Sequence, residues 1–78
     1  MNWTAEVLDG LTFWRATTAR YDETLALVVS PTADGRWQAR CGSWRSSTRE
    51  IAEAGSFLTT EKTVEKAKAV AVGWATGV

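Results

Sequence analysis

Seventy-eight residues with nine basic and nine acidic side chains make one small domain, 1–78, of zero formal charge at neutral pH. Five Trp accompany two Phe and one Tyr, while His is missing and Cys, Met and Pro occur once each. Without His there is no imidazole base, no Ser-His or Cys-His pair and no ordinary zinc site, and a lone Cys closes no internal disulfide.

Size bounds the core. Surface scaling predicts a folded area of roughly 4,700 Å² against about 12,300 Å² for the unfolded chain. Burying the difference, about 60% of it apolar, stabilises by on the order of 115 kcal/mol, and ordering the chain costs about as much. A balance this close needs large side chains, each Trp burying about 150–250 Å². Most of the five Trp are therefore expected in the core, and a homodimer would complete that core more easily than a monomer. The chain opens on no basic stretch followed by an apolar run, and no window approaches the roughly 18 apolar residues of a membrane span. With its unpaired Cys41, these features predict a cytoplasmic location.

In chain order, residues 2–9 alternate around Trp3, Ala5 and Val7, as a half-buried strand does. Asp9-Gly10 is a hairpin turn signal, and 13–19, rich in aromatics and Thr, reads as the returning strand. Over 24–30, Leu25, Leu27 and Val29 oppose Ala26 and Val28. Pro31-Thr32-Ala33-Asp34-Gly35 is the clearest turn. The strand 36–42 then sets Trp37, Ala39 and Cys41 against Arg36, Gln38 and Arg40. Residues 43–54 read as a further strand ended by Gly55. A helix is predicted over 59–76, capped by Thr59 or Thr60, with Glu61 in its first turn and Phe57 and Leu58 bracing its entry. Its apolar stripe is Val64, Ala67, Val70, Ala71, Trp74 and Ala75. The fold class is therefore α+β: an antiparallel sheet of three to five strands with one C-terminal helix packed on one face.

Candidate chemistry is sparse. Cys41 shares a strand face with Trp37 and reads as a small core residue; the acids are scattered, and Asp9 and Asp34 serve turns. No catalytic residue, cofactor site or metal site is assigned, and the chain is not expected to be an enzyme. Charge distribution says more. Arg36, Arg40, Arg45 and Arg49 occupy a stretch without a single acid. With an unbroken register through Gly42, Trp44 joins Arg36 and Arg40 on the outward face, whereas a bulge at Gly42-Ser43 would turn it inward. Trp14 also lacks a periodic reason for burial, so the candidate binding residues are Arg36, Arg40, Trp44, Arg45, Arg49 and Trp14. Such a surface suits a protein partner, since Trp and Arg dominate hot spots. It also suits nucleic acid, where Arg meets phosphate and Trp stacks on bases. Solvated edge arginines are the third reading.

Leu25-Ala26-Leu27-Val28-Val29, Asp34-Gly35-Arg36-Trp37-Gln38-Ala39, Ala54-Gly55-Ser56-Phe57-Leu58-Thr59 and an Ala-rich helix ending near Trp74 follow one another in this chain. That series resembles small proteins encoded by bacteriophages and prophages of actinobacteria, mostly of unassigned function. More distantly it is similar to the strand–strand–strand–helix core of HicB-type antitoxins. The resemblance transfers no functional residue. It implies a non-enzymatic interaction module, monomer or homodimer, that binds and inhibits a bacterial host protein such as a defence or replication factor. A nucleic-acid-binding domain and a phage structural or assembly component are the alternatives.

Overall fold

A computed structural model describes residues 1–77. Five strands form one antiparallel meander in the order β1-β2-β3-β4-β5: β1 (Thr4–Leu8), β2 (Leu11–Arg20), β3 (Glu23–Pro31), β4 (Trp37–Ser43) and β5 (Ser56–Glu61). Helix α1 (Thr48–Ala54) links β4 to β5, and helix α2 (Val64–Ala75) closes the chain. The fold is α+β, with a five-stranded antiparallel sheet and a C-terminal helix. Its accessible surface of 4711 Å² is what the scaling with mass requires. Among the described residues, no helix is long and apolar enough to cross a membrane.

The first four strands form where alternation and turns place them. Asp9 and Gly10 both adopt positive φ, 52° and 78°, the geometry a two-residue hairpin demands and the reason Gly stands second. On β3 both faces are apolar because both are covered. Leu27 and Val29 pack with Ala39, Cys41 and the Ala67–Ala71–Ala75 ridge of α2. Ala26 and Val28 pack with Ile51 and Ala52 of α1. The small ridge residues let α2 lie close to the sheet, while Trp3, Trp14, Trp37 and Trp74 close its margins.

Two expectations are corrected, and the open alternative at Gly42-Ser43 is resolved. Residues 43–54 are not a strand: a turn leads into α1, which lies on the sheet face opposite α2, so a helix covers each face. Ser47 caps α1 in a full capping box, accepting from the Glu50 amide at 3.1 Å while its own amide donates to the Glu50 carboxylate at 3.2 Å. The C-terminal helix starts at Val64, capped by Thr63 rather than Thr59 or Thr60, because 56–61 pairs with β4 as the edge strand β5. Glu61 therefore ends a strand, and Glu65 is the acid in the helix's first turn. Finally, the register irregularity falls between Ala39 and Arg40, where β5 pairs with β4, and not at Gly42-Ser43.

Candidate functional site

The structure separates the six candidate residues. Arg36 sits in the β3–β4 turn, where its Nε lies 3.7 Å from Asp34. That carboxyl is held below the usual aspartate range, chiefly by the Thr32 hydroxyl that donates to it. Arg36 is thus at the far end of β4 from Trp44, roughly 25 Å away along an extended strand.

Arg40 points toward the α1 face, and its Nη1 donates to the Gly55 carbonyl at 2.7 Å, with its guanidinium 5.5 Å from the Phe57 ring centroid. Arg49, on α1, binds Asp9 of the first hairpin at 2.7 Å. The hydrogen bond to Asp9 and its charge hold that guanidinium above the ordinary arginine range. Both residues fasten α1 to the sheet. Arg15 and Thr48 do the same from β2 and α1. Arg15 Nη1 donates to Thr48 Oγ1 at 3.2 Å, and that hydroxyl donates to Glu6 at 2.6 Å. Gln38 adds a bond from Nε2 to the Ala52 carbonyl at 3.1 Å. Polar side chains attach α1 because seven residues bury too little apolar surface to hold it alone.

Trp14 is also placed by packing. It faces α2, half-buried against the main core, and the Lys68 ammonium stands 3.6 Å from its ring centroid and 5.7 Å from that of Trp3. The reading of Trp14 as lacking a reason for burial is corrected: its register partner Val29 is a core residue, which puts Trp14 on the same covered face.

Trp44 and Arg45 remain. The turn after β4 is built by the Ser46 amide donating to the Ser43 carbonyl at 3.0 Å and the Arg45 amide to Ser43 Oγ at 3.2 Å. Arg15 Nη2 donates to the Trp44 carbonyl at 2.8 Å, fixing the backbone. The Trp44 residue is nevertheless 50% exposed, with the Arg45 guanidinium 5.3 Å from its ring centroid. Neither of the two ion pairs among the described residues uses Arg45. Both residues line an open cleft of about 450 Å³, together with Glu23, Leu25, Ser43 and Ser56. Cys41 also lines it, but burial pushes its thiol above the ordinary range and keeps it protonated, as suits a core residue.

Sequence reasoning passed over one feature at this end of the sheet. The β2–β3 hairpin turns on Tyr21 and Asp22, both left-handed at φ 54° and 62°. A non-glycine residue in that conformation costs roughly 1 kcal/mol, and two in succession are usually Asn-Gly. Arg20 offsets the cost. Its Nη2 donates to the Tyr21 hydroxyl at 2.7 Å, and its guanidinium lies between the rings of Tyr21 and Trp74, 4.6 and 4.3 Å from their centroids. Among the described residues Arg20 Nε and Nη1 are buried without a hydrogen-bond partner, and the ring faces compensate them. Tyr21 itself stays 78% exposed. No motif announces this arrangement; the only sequence signal is an aromatic where a hairpin usually has Gly.

Among the described residues, no three His, Cys, Asp or Glu side chains gather as metal ligands would. No protein-family model, curated protein or solved structure matches the chain.

Proposed function

We propose that this chain is a non-enzymatic interaction module that binds a bacterial host protein through the end of the sheet carrying Trp44, Arg45 and Tyr21. The observation that supports this reading is Trp44: its backbone is pinned by Arg15 while half of the residue stays in water beside an open cleft. An aromatic on a held backbone, beside an Arg that makes no ion pair among the described residues, has less backbone freedom to lose on docking, and Trp and Arg concentrate binding energy. The inhibitory role and the bacteriophage or mobile-element origin rest on the resemblance over 25–74, and the host cytoplasm on that resemblance together with the unpaired Cys41. A partner surface of about 800 Å² is within reach of a domain this size.

Nucleic acid is a poorer fit. Arg36 and Arg49 are paired with acids, and Arg40 and Arg15 are committed to backbone carbonyls. Phosphate tracking would require breaking those contacts one by one. A mobility-shift assay at low salt should accordingly show no retarded species.

The test is affinity capture from host lysate with tagged protein. One partner should be recovered in stoichiometric amount, and Trp44→Ala or Arg45→Glu should weaken it at least about tenfold, the loss of a typical hot spot. Recovery of no stoichiometric partner, or full retention by both variants, overturns the reading.

A further inference from the structure

The two sheet edges differ. On β5 the pairing with β4 is broken by an irregularity, a device that discourages further strand addition. The β1 edge has no such device: Thr4–Leu8 pairs residue for residue with β2, contains no Pro or Lys, and is the last strand on its side. Its outer N–H and C=O groups are in the geometry that accepts another strand. Helix α2 packs chiefly on β5 and β4 and meets β2 only marginally. Ala5 and Val7, which share the α2 face through their partners Trp14 and Thr12, are therefore left exposed, Val7 to 68%.

We propose that β1 pairs antiparallel with β1 of a second copy of this chain, about a two-fold axis, to make a continuous ten-stranded sheet. Charge and self-complementary register argue for a second copy as the occupant. The formal charge is zero, so two copies approach without net repulsion. The single charged side chain on β1, Glu6, points to the α1 face and is already bonded by Thr48. An axis through Ala5 sets Thr4 opposite Glu6 of the second copy, so no two carboxylates face each other. The same axis sets Trp3, half-buried against the core beneath Lys68, opposite the exposed Val7 of the second copy, so the free flank of an indole meets an uncovered valine on one side of the sheet.

The proposal does not rest on the Trp44 reading, although Arg15, the register partner of Thr4, also holds the Trp44 carbonyl. An interface of three β1 residues, flanked on each side by a Trp3–Val7 pair, belongs to the small class, so the dimer should form at micromolar concentration. Sedimentation equilibrium from about 5 to about 500 µM spans that range. The wild-type chain should pass from monomer to dimer across it. Ala5→Lys and Val7→Lys place a cation at the seam and should each weaken the dimer at least about tenfold. Trp44→Ala should leave it unchanged. Amide exchange on β1 should slow as wild-type concentration rises. A wild-type chain that stays monomeric throughout overturns the proposal, as does a dimer indifferent to both Lys variants. Should either variant unfold by circular dichroism, the wild-type exchange decides: β1 amides that exchange equally fast at both ends of the range overturn it.

Discussion

At Gly55 an added Cβ would lie 2.6 Å from the Ile51 carbonyl oxygen and 2.8 Å from that of Cys41, both backbone atoms with no room to retreat. The residue has ordinary extended φ, so space rather than dihedral freedom selects glycine where α1 meets the sheet. Gly73 is the reverse case: it lies within α2, and a Cβ there meets nothing within 4 Å. The same substitution should therefore have opposite signs at the two sites. Gly55→Ala should destabilise by about 1–3 kcal/mol, the range for overpacking against fixed neighbours. Gly73→Ala should stabilise by about 0.5–1 kcal/mol through helix propensity and a less flexible unfolded chain. Urea denaturation of both variants checks the pair; a shared sign would refute the steric account of Gly55.

Among the elements, α1 is the one that depends on its caps. Ser47→Ala should cost about 1 kcal/mol in a melt, as loss of an N-cap does. The pH response follows from the same box. The Ser47 amide and hydroxyl hold the Glu50 carboxyl below its ordinary value, so the folded state favours the ionised form. That contribution is complete above the ordinary glutamate range and fades as pH falls through the depressed value. Glu50→Gln should flatten that acid-side loss, measured as the change in urea midpoint between neutral and mildly acidic buffer. A slope equal to that of the wild type would remove the box from the account. The element also shows where sequence was legible. Strands β1 to β4 follow from alternation and two Asp-Gly turns, because a half-buried strand imprints a period of two. Helix α1 is too short to imprint its own period, and only Ser47-x-x-Glu50 marks it. The second half of β5, from Thr59 to Glu61, falls inside the expected helix and Phe57 and Leu58 at its entry, because they adjoin a strong helical stripe and the pairing with β4 is a long-range fact. In the proposed site, Trp44 and Arg45 are marked in the sequence by the acid-free arginine stretch, whereas the duties of Arg40 and Arg49 depend on Gly55 and Asp9, partners that strand alternation does not reveal.

For the whole molecule, the division of five Trp between core and surface joins stability to function. Trp3, Trp14, Trp37 and Trp74 ring the α2 side of the core, two of them under Lys68 and one stacked on Arg20. Each is half-buried rather than sealed, because a sheet this small has more margin than interior. Trp44 alone belongs to neither core cluster and is the one large exposed indole. A neutral quencher such as acrylamide samples accessibility without being drawn to Arg45 or Lys68. Of the five single Trp→Phe variants, Trp44→Phe should lower the native quenching constant most while leaving the urea midpoint nearly unchanged. Replacement of a core-margin Trp should do the opposite, lowering the midpoint by the loss of its buried area and changing quenching little. If Trp14→Phe or Trp74→Phe reduced quenching more than Trp44→Phe, the proposed anchor would have to be moved to that residue, and the proposed partner surface with it, to the Lys68 side or to the hairpin tip.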